Sequence, residues 1–319
     1  MVAHGKLVCV WGLLLISNYL FASPLNGKLL SLVPPGVGIV AGFENYPDPH
    51  RHGQLLLSTH NDRVDLCDWL AISGVDSQRH LDEGIEIASS PAGGGLLTEH
   101  LLLVIGKFER NRIYKSAEQN GAQRSEYDGE ALMLIQPYTR ERGEMEDVRW
   151  LLILENRIGM LGTPFLVKQA LRRYQAHADI DWLLKERLSR LPRDVSSWNL
   201  LVSATAKMHV GDRWAGVVDE TDVVMVGARF GPTVRVDFLL DADRNRGLEF
   251  FRQKGLAFAR VFAGVLHPER NKSRVAKVWL EPDRVRASVE LSNRQFEMWS
   301  EQGKQLQDTR AARPASRGE

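Results

Sequence analysis

Apolar positions fall into two rhythms along the chain: short runs that suit strands, and stripes at three- and four-residue spacing that suit helices. Residues 33–36, Val-Pro-Pro-Gly, predict an entry turn into a buried strand over 37–43. Residues 46–53 have the composition of a loop. Thr59 and Asp62 fit a capping box, and Val64, Cys67, Leu70 and Ala71 continue at helical spacing until Gly74. A short strand is expected over 85–88, a Gly-rich loop over 91–95 and a second buried strand over 101–106. Residues 110–120 predict a helix with Ile113, Tyr114 and Ala117 on its apolar face and Gly121 as its stop. A turn over 127–130 leads to a strand over 132–135, and strands 150–154 and 158–161 flank a hairpin turn at Glu155-Asn156-Arg157. Thr163-Pro164 opens a helix with a hydroxyl N-cap and proline at the first position. Phe165, Leu166, Ala170, Leu171 and Tyr174 are expected inward on it, with Lys168, Arg172 and Arg173 in water.

The pattern then repeats loosely. After a second amphipathic helix over 179–191 and a break at Pro192-Arg193-Asp194, strands are expected over 198–202, 223–230 and 234–240. A long helix over 242–264 carries Leu248, Phe251, Phe258 and Phe262, and strands 275–280 and 285–291 turn at Glu281-Pro282-Asp283. Ser292 and Gln295 form a capping box for a last helix that carries Phe296 and Trp299. Hairpin connections dominate, which predicts an α+β fold: two loosely similar subdomains of antiparallel sheet with helices packed on one face. The expected organisation is a signal peptide or N-terminal anchor over 1–23, α+β domains over 32–191 and 192–302, and a disordered tail over 303–319. Residues 104–108 and 226–230 share a glycine-to-phenylalanine step, which suggests an internal duplication.

Charge changes the picture by exclusion. The 41 basic and 40 acidic residues nearly cancel, so no concentrated basic face advertises nucleic-acid binding. The apolar run 7–22 behind Lys6 suits a secretory h-region better than a spanning helix, which needs about 20 apolar residues. The large residue Leu20 at −3 from Ala22 makes a poor cleavage site, so an uncleaved membrane tether is the alternative. Export to the periplasm or beyond is expected either way. Of the two cysteines, Cys9 lies in that run, which leaves Cys67 as a small buried side chain.

Trp69, Gly74-Val75-Asp76, Leu81-Asp82-Glu83, the strand over 103–108 and Tyr127-Asp128-Gly129 occur here in an order that resembles a group of exported α+β proteins of acidobacterial type. The likeness covers residues 34–204. It implies an exported α+β fold and carries over no catalytic residue, since no activity is established for the group.

His50, His52 and His60, with Asp48 and Asp62, are the densest set of potential metal ligands. A zinc site needs three or four such ligands converging, and no paired-cysteine or HExxH spacing supports one. A solvated loop before a capped helix is the expectation, with no metal and no cofactor. Asp62, Asp65 and Asp68 suit a wet helix face. Glycines 93–95 lack the Gly-Lys-Ser/Thr ending of a phosphate loop. Arg110, Arg112, Arg172 and Arg173 read as solvated, and Trp69, Trp150, Trp182, Trp198, Trp279 and Trp299 as nearly all core-facing, with room for one or two to line a groove. With no nucleophile, base and orienting group gathered, the expected function is a non-enzymatic binding or scaffold protein of the cell envelope, with an unidentified protein or envelope ligand. The alternative is a metal-dependent hydrolase using His50, His52 and His60. A third reading is an assembly partner that buries the hairpin around 275–291 against another chain.

Overall fold

The computed structural model describes residues 27–44, 75, 81–89, 99–135, 148–201, 221–242, 256, 276–281 and 284–296. The expected helix over 59–71, the glycine loop, the tail over 303–319 and residues 1–23 lie outside them; of the expected helix over 242–264 only 242, which ends a strand, and 256, which is helical, are described.

Among the described residues twelve strands make one antiparallel sheet. They are β1 (Ile39–Glu44), β2 (Leu81–Ser89), β3 (Glu99–Gly106), β4 (Gln123–Tyr127), β5 (Glu130–Ile135), β6 (Arg149–Leu154), β7 (Ile158–Gly162), β8 (Ser197–Leu201), β9 (Thr221–Arg229), β10 (Thr233–Ala242), β11 (Ala276–Glu281) and β12 (Arg284–Ser292). Their spatial order is β11-β12-β10-β9-β8-β1-β2-β3-β7-β6-β5-β4. The helices are α1 (Gly27–Leu32), α2 (Arg110–Gln119), α3 (Pro164–Gln175) and α4 (Trp182–Leu188). The sheet-rich α+β class is as expected, but the strands run as one sheet: β8 pairs with β1, Leu200 opposite Val40, and carries the ladder across the break at 192–194.

Helices cover both faces, which corrects the expectation of one. On the first face, Leu29, Leu30 and Leu32 of α1, Leu166, Val167, Ala170 and Leu171 of α3, and Leu184 and Leu188 of α4 pack on Leu101, Leu103, Leu152, Met160, Leu200 and Met225. On the second, Ile113, Tyr114 and Ala117 of α2 pack on Leu102, Val104, Met133, Leu151 and Ile153. The cause lies in β3 and β6, whose apolar runs do not alternate and so demand cover on both sides. Beyond β1 the second face carries a separate apolar layer, including Val236, Phe238, Val285, Val289, Phe230 and Phe296.

Local chemistry explains several boundaries. Gly121 stops α2 with φ +90°, a conformation glycine adopts freely. The Tyr114 hydroxyl donates to Ala131 O (2.8 Å) and accepts from Ile153 N (3.1 Å), so it bridges β5 and β6 just past their last paired residues, Leu132 and Leu152. Burial pushes its ionisation up. Asp181 caps α4 by accepting from Leu184 N at 3.0 Å. Thr163 stands at the N-cap of α3 but makes no side-chain cap bond; its hydroxyl donates to His100 O at 3.4 Å instead. Ser292 and Gln295 close the expected capping box, Ser292 N donating to Gln295 Oε1 (2.9 Å) and Gln295 N to Ser292 Oγ (3.3 Å). Phe165 does not join the apolar face of α3; it is 45 % exposed, and Val167 takes the buried position.

Candidate binding edge

His50, His52, His60 and Asp62 lie outside the described residues, as do Cys67, Asp65 and Asp68. Among the described residues no three His, Cys, Asp or Glu side chains converge in a way that could hold a metal ion. No described helix is long and apolar enough to cross a membrane.

The polar side chains that do meet tie elements together. Tyr174 donates to Glu155, which Lys28 also reaches (3.3 Å), so α3, the β6–β7 turn and α1 are joined at the surface. The Glu155 carboxylate raises the Tyr174 hydroxyl to about 12, and the same bond lowers Glu155. Lys168 Nζ stands 5.1 Å from the Tyr127 ring centroid and 4.9 Å from that of Trp150, a cation–π clamp on the β4–β5–β6 end. Two of the arginines expected in solvent are tethers: Arg110 donates to Ala131 O (3.2 Å), and Arg173 Nε to Ser31 O (2.7 Å). Arg172 donates to the Tyr127 hydroxyl at 3.3 Å and remains exposed.

A second network lies on the first face at the other end of the sheet. Asp241, with a side chain only 6 % exposed, is held by Arg284 from β12 and by Arg190, which follows α4. Arg284 reaches on to Glu281 (3.3 Å), and Arg286 Nε stands 3.0 Å from the same carboxylate. Nearby, Asp194 takes hydrogen bonds from Arg235, which hold its carboxyl below the usual range. Every acid here is matched by a guanidinium. The arrangement can fix the start of β12 against β10, and it holds no nucleophile or base free to react.

The two outer strands differ sharply. β4 is short and polar, with Gln123, Arg124 and Glu126 exposed. Such a strand resists pairing with a stranger. β11 carries Val278, Trp279 and Leu280 in a row. Trp279 and Leu280 are each 47 % exposed. Being consecutive, they point to opposite faces. Leu280 shares a face with Val285, opposite it on β12, and Val278 packs against the second-face apolar layer. Trp279 lies opposite Arg286, beside the ionic network. Lys277 and Glu281 flank it on the same face. The apolar layer of the second half therefore continues to the last strand and stops there in contact with water.

Trp279 is one departure from the core-facing expectation for the tryptophans, and Trp182, 73 % exposed at the first position of α4, is another. Trp198 is 1 % exposed, as expected. Trp69 and Trp299 lie outside the described residues. No protein-family model, curated protein or solved structure matches the chain.

Proposed function

We propose that this protein is a non-enzymatic binding or scaffold module of the cell envelope, exported or tethered through residues 1–23, and that it takes hold of a partner at the β11 edge. The observation that carries the reading is the pair of exposed apolar side chains, Trp279 and Leu280, on opposite faces of an outermost strand. A strand in that state offers a partner backbone hydrogen bonds along its edge and apolar contact on both faces. The ion pairs support it as well, since they engage Asp194, Asp241 and Glu281 with Arg190, Arg229, Arg235, Arg284 and Arg286 in fastening the sheet. The proposal retains the likeness to exported proteins of acidobacterial type.

The strand order favours two related halves. Outward from the β1–β8 seam, β1-β2-β3-β7-β6 runs one way and β8-β9-β10-β12-β11 the other. This matches β3 with β10, so the likeness between 104–108 and 226–230, which aligns β3 with β9, is not the one the strand order favours.

The test is fractionation of cells making the full chain, with metal analysis of the purified protein. The expected result is recovery with the envelope and no stoichiometric metal. Recovery with the cytosol, or zinc that is lost when His50, His52 and His60 become alanine, overturns the proposal.

A further inference from the structure

We infer that the partner at the β11 edge is a second copy of this chain, paired antiparallel about a two-fold axis that passes through Trp279. The inference rests on the binding-edge reading and names its occupant.

Geometry leaves few registers. A two-fold that joins two sheet edges antiparallel must stand perpendicular to the sheet, and such an axis keeps every side chain on its own face. Residues facing each other across it must therefore share a face, so odd-numbered positions meet odd ones and even meet even. Centred on Trp279, the register sets Trp279 against its own copy, Lys277 against Glu281, Val278 against Leu280, Leu280 against Val278 and Glu281 against Lys277. Both charges meet their opposites, and the apolar pairs lie on the face that already carries Val285 and Ala287. Facing pairs of this kind stabilise antiparallel strands, and like charges there destabilise them.

The neighbouring registers lose these matches. Centring on Val278 puts Lys277 opposite Trp279 and leaves Glu281 with no facing residue within β11. Centring on Leu280 puts Trp279 opposite Glu281 and leaves Lys277 and Val278 with no facing residue within β11. The favoured register uses residues 277–281 alone and pairs all of them. It would also carry the second-face apolar layer without a break from one copy into the next, covering Leu280, now 47 % exposed. The opposite outer strand, β4, offers no comparable self-match: centred on Ser125 it sets Arg124 against Glu126, but with no apolar pair beside them.

Five residues a side make a small interface, so the dimer is concentration-dependent, with a dissociation constant on the order of micromolar. Light scattering of the full chain across a concentration series reads it directly. Lys277→Glu sets like charges opposite each other twice and should raise the dissociation constant about tenfold. Lys277→Glu with Glu281→Lys restores both pairs and should recover the dimer. Since Glu281 also touches Arg284 and Arg286, a second measurement avoids its replacement altogether. In a Cys9→Ser, Cys67→Ser background, Trp279→Cys places two thiols opposite each other at the roughly 4.5–5.5 Å Cα spacing of facing residues, which a disulfide spans. Trp279→Cys should cross-link on oxidation, and Leu280→Cys, which faces Val278, should not.

Hydrogen exchange separates failure of this inference from failure of the reading beneath it. Alternate amides of 277–281 already donate to β12, so the outward-facing ones carry the measurement: protection of these that grows with protein concentration supports the dimer. A monomer whose outward-facing 277–281 amides exchange freely overturns self-pairing and leaves the edge open to a different chain. A monomer with the outward-facing amides also protected at every dilution overturns both. Equal cross-linking of Trp279→Cys and Leu280→Cys overturns the register.

Discussion

Phe43 and Gly84 stand directly opposite each other in the β1–β2 ladder, and a Cβ added to Gly84 would fall 2.2 Å from Cζ of the Phe43 ring. The ring lies over the glycine and packs against the α2 side of the core. Gly84→Ala is expected to cost about 1–3 kcal/mol in urea unfolding, because the ring must leave its place. Phe43→Leu should be less damaging in the Gly84→Ala background than alone. The two changes should couple by at least about 0.5 kcal/mol in a double-mutant cycle. Simple additivity would show that the ring moves without cost.

Asp241 binds two guanidiniums, those of Arg190 and Arg284, with all three side chains at least 84 % buried. Asp241→Asn removes the acid shared by both arginines and leaves each with one more exposed carboxylate, Glu186 for Arg190 and Glu281 for Arg284. A loss of about 3 kcal/mol is expected in chemical denaturation, as for other buried pairs broken on one side. Replacing Asp241 and Arg284 together by leucine should cost less than the single change. A single-variant loss below about 1 kcal/mol would mean that water reaches the site freely.

Tyr174 has its ionisation raised from 10.0 to about 12 by the bond it donates to Glu155. The folded value is above the unfolded one, so the contribution to stability is complete below pH 10 and disappears as the pH climbs through 12. Ultraviolet titration should show one phenol ionising later in the wild type than in Glu155→Gln. Thermal melts of Tyr174→Phe should lose the wild type's decline across that same window. The effect is small, because the pair is exposed.

Glu44 faces Glu83 at the end of the β1–β2 ladder. Burial, and then the Glu83 charge, raise its carboxyl above the ordinary 4.5. A raised acid weakens folding while ionised, and the penalty is relieved as the pH falls through the raised value. Glu44→Gln should therefore stabilise the protein slightly at neutral pH, the gain being small because Glu44 is exposed and its charge screened. The gain should vanish in acid, where Glu44 takes up its proton. Melting curves of both proteins from neutral to acid pH check this.

Much of the strand plan was legible because apolar runs such as 101–106 and 150–154 have no helical spacing. The buried stripe Ile113, Tyr114 and Ala117 was legible for the opposite reason. What escaped was set by distance in sequence. The stretch 123–127, Gln-Arg-Ser-Glu-Tyr, is nearly all polar, so no local signal marks β4; its neighbour β5 makes it a strand. α1 is six residues long, too short for a period to register. The exposure of Trp279 could not be read locally either. The pattern over 276–281 is the same whether the strand is central or outermost, and only the strand order decides. Trp182 is expected inward on a helix over 179–191, but the helix spans only Trp182–Leu188 and Trp182 stands exposed at its first position.

The seam between β1 and β8 has a consequence for how the chain comes to be folded. As the polypeptide emerges from the ribosome, β1 finds β2 early, but the other side of β1 stays bare until residue 197 has been made. For that whole interval a nascent chain presents an unsatisfied row of amides and carbonyls beside Val40 and Ala41. Translation that stalls before β8 would release a product prone to aggregate, and the cell has reason to shield it until the missing neighbour arrives.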